Sequence, residues 1–344
     1  MPCPKVSVVV PVYNVRPYLR QCLDSILNQT LSEIEILCGD GGSTDGSLEI
    51  LREYEQRDSR LQVISKDGSG YGESVNDCIR MARGEYIGLV ESDDCIKPKM
   101  YEVLYQRAKE HALDWVRGDI YFYYTSKSGK PILRFEKIII GNFYNRVLNP
   151  QKDYRPYRSR LRTWSGIYNR RFLLSNDIWH SETPGGSFQD TGFYLKTLYY
   201  AERVEFIHLG FYQWRQDNPW SSTHYDSKRT VQKVLKEWSL QEDYLAERPE
   251  LAKRVMPAFR YRQMLSYFWT IDRVQDADKQ YMCDLSTEML NAAKSNGEID
   301  REFFTWLEWQ QYRGFLKNGQ TAGPVRLLWR RLKHMEAVLF NHCL

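Results

Sequence analysis

Acidic side chains cluster at residues 91–94 of this 344-residue chain, which read ESDD and follow an apolar run. Carboxylates as close together as Glu91, Asp93 and Asp94 repel one another unless solvent or a cation relieves the repulsion. Hard divalent cations prefer carboxylate oxygens and usually also hold substrate phosphates. The cluster therefore fits a metal ion that bridges the protein and a diphosphate. The alternative is a set of capping acids before a helix that begins near Pro98.

A further acid, Asp190, stands in GGSFQDTGF at residues 185–193, just before an apolar stretch with helical spacing. An aspartate in that position commonly caps a helix. The same carboxylate can instead act as a general base directed at a substrate hydroxyl. Taken alone, this stretch favours the capping role.

The segment ILCGDGGSTDGS at residues 36–47 ends a hydrophobic run in glycines, hydroxyls and two aspartates. It contains no GK[ST] sequence, so it lacks the lysine of a phosphate-binding P-loop. Thr44 stands where a dinucleotide-binding fingerprint has its third glycine. The sequence therefore argues against a P-loop enzyme and against hydride transfer.

Short runs rich in β-branched residues predict the strands that position these motifs. The four runs are residues 6–12, 34–38, 61–65 and 86–90. Apolar residues at helical spacing lie between them, and Asn14 is expected to cap the first helix. Alternating strands and helices predict a parallel α/β sheet. Ligands of such sheets bind at the carboxyl ends of the strands, where the glycine-rich and acidic segments all fall.

Beyond residue 94 the pattern becomes less regular. We predict further helices and strands over residues 100–111, 115–124, 190–201 and 204–209. The basic, aromatic stretch 144–164 is interpreted as a loop that is mobile. From about residue 226 the apolar spacing is helical throughout. The basic segment 325–340 fits a helix lying on an anionic membrane surface, or a terminal helix packed on its neighbours.

Composition limits the classes of protein that fit. The net charge is only +4, which argues against nucleic-acid binding. The seven cysteines show no metal-binding spacing, which fits a reducing compartment. No apolar run is long enough to span a membrane. We therefore expect a cytoplasmic location, either free or peripheral at the inner face of the cytoplasmic membrane.

Taken in order, VSVVVPVYN, ILCGDGGSTDGS, GEYIGLVESDD and FQD resemble the motifs of family 2 glycosyltransferases with the GT-A fold, over roughly residues 5–225. The resemblance implies an α/β fold: a Rossmann-like nucleotide-binding sheet with flanking helices, plus a C-terminal helical region. It implies a catalytic domain at residues 1–225, with a nucleotide-sugar half (1–98) and an acceptor half (99–225). A helical domain would occupy residues 226–344.

The resemblance also implies an activity. Such an enzyme moves a hexosyl or N-acetylhexosaminyl group from a UDP-sugar donor to a hydroxyl of a glycan or lipid-linked glycan acceptor. It uses Mn²⁺ or Mg²⁺ and inverts the anomeric centre. The stretch TWSGIYNRRFL at residues 163–173 looks like a bacterial subgroup that builds surface polysaccharide. Lipopolysaccharide and glycoprotein glycans are the other acceptors implied.

The resemblance also assigns site residues, according to their positions in the matched motifs. Pro11, Val12 and Tyr13 are expected to line the uridine pocket, and Asp40 is expected to bond the base. Asp93 matches an acid that touches ribose and diphosphate.

The same resemblance assigns the metal to the ESDD segment, with Glu91, Asp93 and Asp94 as its expected ligands. Asp190 matches the catalytic base. A loop over donor and acceptor is expected to contain Arg215, Asn218 and Ser222.

The chain departs from the family pattern at two acids. Gly41 replaces the second acid of DDGS, and Glu91 replaces the first acid of DxDD. These changes leave open a catalytically degenerate sugar-nucleotide-binding partner of another transferase. A sugar-1-phosphate nucleotidyltransferase fits less well, because PVYN stands where a basic, glycine-rich loop would be expected.

Overall fold

The computed structural model describes residues 3–221 and 227–318. The described residues fall into two compact units. The first contains the strands, and the second contains the helices that follow residue 226.

The first unit begins with the predicted alternation of strands and helices. Its elements are β1 (Val6–Val12), α1 (Arg16–Leu27), β2 (Ile34–Asp40), α2 (Ser47–Arg57), β3 (Leu61–Ser65), α3 (Tyr71–Met81) and β4 (Tyr86–Leu89). β1 pairs in parallel with β2 and β4, and β2 pairs in parallel with β3. Every residue of β1 and β2 is buried, as expected for a sheet covered on both faces. The predicted parallel sheet with flanking helices is confirmed.

The sheet continues with mixed pairing. The further elements are β5 (Cys95–Ile96), α4 (Met100–Glu110), β6 (Trp115–Thr125), β7 (Pro131–Glu136), β8 (Gly166–Asn169), α5 (Arg170–Ser175), α6 (Asp190–Tyr200) and β9 (Val204–Arg215). The strand order is β3-β2-β1-β4-β8-β6-β9-β5, with β7 paired to β6. β9 is longer than the strand predicted over residues 204–209. Its last residues pair antiparallel with β5, which follows directly after the ESDD segment.

Residues 144–164 form no long helix or strand: they contain short 3₁₀ turns at Arg155–Arg158 and from Thr163, and isolated β-bridges at Leu148 and Ser159. The prediction of an irregular segment is therefore confirmed, but the segment is packed: Tyr157, Ser159 and Trp164 are all buried. Buried aromatic rings and a backbone bridge between Leu148 and Val204 of β9 together fix its course.

The loop after β1 differs from prediction. Asn14 does not cap α1, whose N-cap is Val15. Asn14 instead has a positive φ of 49°, a conformation that asparagine tolerates better than most residues. Its side-chain oxygen accepts from the Thr44 amide at 2.8 Å, and its own amide donates to the Ser43 hydroxyl at 3.1 Å. Asn14 therefore ties the first loop to the 39–47 loop.

The second unit is helical, as predicted. It contains α7 (Ser227–Ala246), α8 (Pro249–Ile271), α9 (Asp276–Ser295) and α10 (Trp306–Asn318). Among the described residues, no helix has both the length and the apolar character needed to cross a membrane. The segment 325–340, predicted to contact a membrane or its neighbouring helices, lies outside the described residues.

Candidate active site

The carboxyl ends of β1 and β2 lie side by side, because Val12 pairs with Asp40. Gly41 donates its amide to the Val12 carbonyl at 3.0 Å, and Lys66 donates to the Asp40 carbonyl at 3.0 Å. The loops after β1, β2 and β3 are thereby joined at one edge of the sheet. This is the edge at which the motif positions predicted a ligand.

The Asp40 carboxylate organises the 39–47 loop. It accepts from the backbone amides of Gly42 at 3.1 Å and Ser43 at 3.3 Å, and from the Ser65 hydroxyl at 3.2 Å. Its residue is only 1% exposed. These bonds occupy much of the carboxylate, so a contact between Asp40 and a base remains a prediction.

The residues predicted to line the uridine pocket differ in exposure. Pro11 and Val12 are buried in β1, whereas Tyr13 is 65% exposed. A largely exposed aromatic ring beside a loop rich in glycine is available to stack on a planar ligand. Of the three residues, Tyr13 is therefore the one whose side chain is accessible to a ligand.

Gly41 has a steric explanation. A Cβ atom at this position would lie 2.9 Å from the backbone carbonyl oxygen of Ser69. Real Cβ atoms do not approach backbone oxygen that closely, so a side chain requires the 66–70 loop to move. The missing second acid of the loop follows from the close approach of the two loops.

The side chain of Asp94 is directed to the protein interior. Its carboxylate accepts from the Tyr212 hydroxyl at 2.8 Å and from the Arg215 backbone amide at 2.6 Å. The Tyr212 oxygen in turn accepts from the Glu91 amide at 3.0 Å. Burial, reinforced by the negative charge of Asp93, raises the pKa of Asp94 well above its usual range. Asp94 therefore joins the acidic segment to β9.

Asp93 is a partly exposed residue that receives hydrogen bonds from two residues of the later chain. The side-chain amide of Asn218 donates to one carboxylate oxygen at 2.8 Å, and the Arg215 guanidinium donates to the Asp93 carbonyl at 2.8 Å. Arg215 is itself clamped between the rings of Tyr18 and Tyr123, at 4.7 and 4.4 Å from their centroids.

The structure places Arg215 at the end of β9 and Asn218 in the segment after it. Arg215 and Asn218 are only 5% and 7% exposed and both contact Asp93, while their role in a loop over donor and acceptor stays a prediction. Ser222, the third residue predicted for that loop, lies outside the described residues.

Glu91 is partly buried and paired with a tyrosine. The Tyr71 hydroxyl donates to its carboxylate at 2.7 Å. Burial raises the pKa of Glu91 to about 8, and the charges of Asp93 and Asp190 act in the same direction. Since an ordinary glutamate titrates near pH 4.3, this side chain is mostly protonated at neutral pH.

Asp190 is the first residue of α6, and the N-cap of that helix is Gln189, which makes no side-chain capping bond. The capping interpretation of Asp190 is therefore wrong. Burial raises the pKa of Asp190 to about 6, while the positive charge of Arg162 opposes that rise. The charge of Asp190 also acts on Glu91 and Tyr71, which places it beside the acidic segment.

The segment before Asp190 is fixed to α3. Gln189 donates its side-chain amide to the carbonyls of Thr183 at 3.2 Å and Gly185 at 3.0 Å. The Gly185 carbonyl also accepts from the Tyr71 amide at 3.0 Å. Asp190 and Tyr71 are therefore positioned by one small network.

The three acids predicted as metal ligands do not form a three-ligand site. Among the described residues, no group of three histidine, cysteine or acidic side chains is placed to hold one ion. Asp94 is turned towards Tyr212, and Glu91 towards Tyr71. The partly exposed Asp93 carboxylate nevertheless fits a divalent ion that takes its other ligands from substrate phosphates and water, the arrangement typical of Mg²⁺.

Several residues of this site were missed from the sequence. Tyr71 and Tyr212 hydrogen-bond to Glu91 and Asp94, and the charge of Arg162 acts on Asp190. Trp164 stacks on Tyr212 with 4.0 Å between ring centroids, and its ring also contacts that of Trp214. The one signal in the sequence is the alternation along residues 212–215 of a strand, which places Tyr212 and Trp214 on the same face.

Comparison with known proteins supports one family. A family model described as "Glycosyl transferase family 2" matches residues 7–176. The chain is 33% identical over 236 residues to "Uncharacterized glycosyltransferase EpsJ" of Bacillus subtilis, and the match covers 67% of each protein. It is 30% identical over 222 residues to "Glycosyltransferase GlyA" of Streptococcus pneumoniae, across 61% of this chain but 30% of that protein. The chain thus spans about two thirds of the first relative and under a third of the second.

A solved structure shares the fold. The first 349 residues of S. aureus TarS, in complex with UDP-GlcNAc, superpose with a TM-score of 0.54 at 20% sequence identity. The match covers 94% of this chain and 83% of that chain.

Proposed function

This chain belongs to glycosyltransferase family 2 and has the GT-A fold, and we propose that it is an inverting, metal-dependent enzyme that uses a UDP-sugar donor. The acceptor in this proposal is a hydroxyl of a glycan or lipid-linked glycan. One observation carries the mechanism: Asp190, with a pKa of about 6, lies beside the acidic segment that ends at Asp93 and Asp94. A carboxylate with that pKa is ionised at neutral pH and more basic than an ordinary aspartate.

The donor nucleotide would lie along the loops after β1 and β2. Tyr13 offers its exposed ring for the base, and the loop organised by Asp40 closes the edge of the pocket. UDP is proposed as the nucleotide because the family resemblance implies it, and because the TarS structure of the same fold is in complex with UDP-GlcNAc.

The transfer needs one displacement. The acceptor hydroxyl would attack the anomeric carbon from the face opposite the leaving diphosphate, so the configuration inverts. Asp190 would accept the proton of that hydroxyl as the new bond forms. A covalent intermediate is not required, and neither is a protein nucleophile.

The diphosphate leaves as an anion. A divalent ion, Mn²⁺ or Mg²⁺, supplies positive charge that stabilises such a leaving group. Asp93 would hold the ion together with phosphate oxygens and water, while Asn218 and Arg215 keep Asp93 in place. Asp94 supports this arrangement from the interior, and Glu91 would accept the hydrogen bond of the Tyr71 hydroxyl beside it.

The proposal also assigns roles to the two parts of the chain. Residues 1–225 would form the catalytic domain, with donor-binding and acceptor-binding halves that meet near residue 98, and residues 226–344 a helical domain. The resemblance of residues 163–173 to a bacterial polysaccharide subgroup supports a role in surface glycan synthesis. A cytoplasmic location, peripheral to the membrane where lipid-linked acceptors reside, is proposed with it.

The proposal is tested with a panel of UDP-sugars. The purified chain is incubated with each sugar and Mn²⁺, and release of UDP is measured. Turnover of at least one donor that stops on addition of EDTA supports the proposal. Binding of UDP-sugars without any hydrolysis or transfer contradicts it, and instead supports the non-catalytic partner.

A further inference from the structure

A turn directly before the proposed base is closed by one buried side chain. Gln189 is 2% exposed, and its side-chain amide donates to the carbonyls of Thr183 at 3.2 Å and Gly185 at 3.0 Å. Both partners are backbone carbonyls that only accept, so the nitrogen of the glutamine side chain must face them. Asp190 follows as the first residue of α6. Gln189 therefore ties the start of that helix to the turn.

Phe188, the residue before Gln189, has an unfavourable backbone conformation. Its φ of 70° lies in the left-handed region, which bulky side chains rarely adopt. A residue keeps such a conformation only where its surroundings impose it, and these outliers cluster at active sites. The Phe188 carbonyl accepts from the Thr191 amide at 2.9 Å. The bonds made by Gln189 and Thr191 therefore hold a strained turn in place.

The segment that leads to this turn is docked on α3. A Cβ atom at Gly72 would lie 2.0 Å from the Ser181 carbonyl oxygen, so only glycine permits the close approach of the two backbones. Further along α3, Asn76 accepts from the His180 amide and donates to the His180 carbonyl, both at 3.0 Å. The position of the turn is therefore set by the helix that follows β3.

Tyr71, the first residue of α3, contacts both the turn and the acidic segment. Its backbone amide donates to the Gly185 carbonyl at 3.0 Å, the same oxygen that accepts from Gln189. Its hydroxyl donates to the Glu91 carboxylate at 2.7 Å. Its ring packs edge-on against that of His180, with 5.9 Å between centroids. Hydrogen bonds through the Gly185 carbonyl and Tyr71 therefore join Gln189 to the acidic segment.

We propose that Gln189 and Tyr71 are positioning residues of the transfer reaction, which keep Asp190 at a fixed spacing from the acidic segment. Gln189 acts by closing the turn before Asp190, and Tyr71 acts by joining that turn to Glu91. A displacement of reacting groups by about 1 Å can lower a rate about 10²-fold, so a fixed spacing has a direct kinetic consequence. The inference rests on the proposed function, because it concerns the base of that reaction.

The first test replaces Gln189 by its isosteric acid. Gln189→Glu keeps the shape, but an ionised carboxylate accepts only and cannot bond to the two carbonyls. With the UDP-sugar that the wild-type chain turns over fastest, we expect kcat for UDP release at about pH 8 to fall about 10²-fold. The affinity for UDP with Mn²⁺ should be retained, since Gln189 lies on the acceptor side of the proposed reaction. The matched control is Gln232→Glu, at an exposed position of α7, which should keep the wild-type kcat.

The pH dependence of the same variant separates positioning from a loss of packing. A protonated glutamate regains one hydrogen to donate, and burial raises the pKa of a carboxyl group. The kcat of Gln189→Glu, divided by the wild-type kcat at the same pH, should therefore rise about tenfold from about pH 8 to pH 6. A wild-type kcat in the folded variant overturns the role of Gln189, and so does a reduced kcat whose ratio to wild type is the same at both pH values.

The second test removes only the hydroxyl that joins Tyr71 to Glu91. Tyr71→Phe keeps the ring and the backbone bond to the turn, and we expect kcat to fall about tenfold, as loss of one buried hydrogen bond allows. The matched control is Tyr105→Phe, which removes a hydroxyl that donates to Glu85 at 3.0 Å, just before β4 and at the opposite end of that strand from Glu91. A folded Tyr71→Phe variant with the wild-type kcat overturns the role of Tyr71.

Hydrogen exchange of the full chain tests the positioning without any substrate. At about pH 8, amides of residues 181–191 should exchange about tenfold faster in Gln189→Glu than in the wild type, because the turn opens more often. Gln232→Glu should leave these rates unchanged, and equal rates in Gln189→Glu overturn the inference.

The exchange measurement separates this inference from the proposed function. A wild-type chain that turns over no UDP-sugar contradicts the proposed function, while exchange still decides whether Gln189 holds the turn. Metal-dependent turnover at the wild-type rate in both folded variants leaves the transferase standing and overturns only the positioning roles. The unfolding temperature of each variant reports its folding.

Discussion

The side-chain amide of Asn218 donates a 2.8 Å hydrogen bond to the carboxylate of Asp93, across a sequence separation of 125 residues. The Asn218 oxygen meanwhile accepts from the Trp220 amide at 3.0 Å, which fixes the orientation of the side-chain amide. One oxygen of Asp93 is thus held by the protein. The Asp93 residue as a whole is partly exposed.

Asn218→Ala should weaken binding of UDP in the presence of Mn²⁺ by about tenfold, because a hydrogen bond to a charged group is lost. Binding of UDP without metal should change much less. Calorimetric titration with and without Mn²⁺ measures both. Equal losses in the two conditions would mean that Asn218 supports the nucleotide pocket rather than the metal ligand.

Asp190→Asn should lower transfer by about 10²- to 10⁴-fold, the usual contribution of a general base, because the amide cannot accept the proton. UDP affinity should be retained, since Asp190 lies at the acceptor side of the proposed reaction. Turnover and UDP titration of the same preparation check the two parts. Asp243→Asn, at an exposed position of α7, is the matched control.

The pH dependence of kcat/KM should show an acidic limb near the Asp190 pKa of about 6. Activity falls below that pH because the base becomes protonated. Arg162 lowers the pKa of Asp190, so Arg162→Met should move the limb to higher pH. If the acidic limb of the Arg162→Met profile stays at the wild-type pH, a group other than Asp190 determines the limb.

Gly41→Asp, which restores the acid usual in the family, should destabilise the protein by about 1–3 kcal/mol, as overpacking does. The cause is the 2.9 Å approach of its Cβ to the Ser69 carbonyl oxygen. Urea unfolding measures the free energy. The control is Gly186→Ala, where the added Cβ meets only the Tyr71 Cβ at 3.7 Å. A stable Gly41→Asp protein with tighter metal binding would contradict the steric explanation.

Tyr212→Phe should reduce the free energy of unfolding by about 1–3 kcal/mol, because it leaves the buried Asp94 carboxylate and the Glu91 amide each short of a partner. Donor binding should weaken as well, since the acidic segment loses its link to β9. Urea unfolding and UDP titration measure the two effects. Tyr281→Phe, at a residue that is 53% exposed, should be close to neutral.

Residues near one another in the sequence determined the elements of the sheet. β-branched runs and helical spacing predicted β1 to β4 and the helices between them, because each pattern depends on residues a few positions apart. The rule for carboxyl ends of parallel strands then placed Tyr13, Asp40 and Asp93 at one edge. The motifs sufficed to identify the family for the same reason.

Tertiary structure decided what each acid does. The antiparallel pairing of β5 with β9 brings Arg215 and Asn218 behind Asp93, and turns Asp94 towards Tyr212. No local pattern predicts that pairing, since it joins strands more than a hundred residues apart.

Tertiary structure also decided the properties of Asp190, the proposed base, and of Gly41, which stands where the family usually has an acid. Asp190 looks like a helix cap in sequence, and only its burial, which outweighs the opposing charge of Arg162, raises its pKa to that of a base. Gly41 looks like a lost carboxylate, and only the nearby Ser69 carbonyl shows why a side chain is excluded. Burial and close approach depend on the packing of distant segments, so the sequence named these residues while the fold set their chemistry.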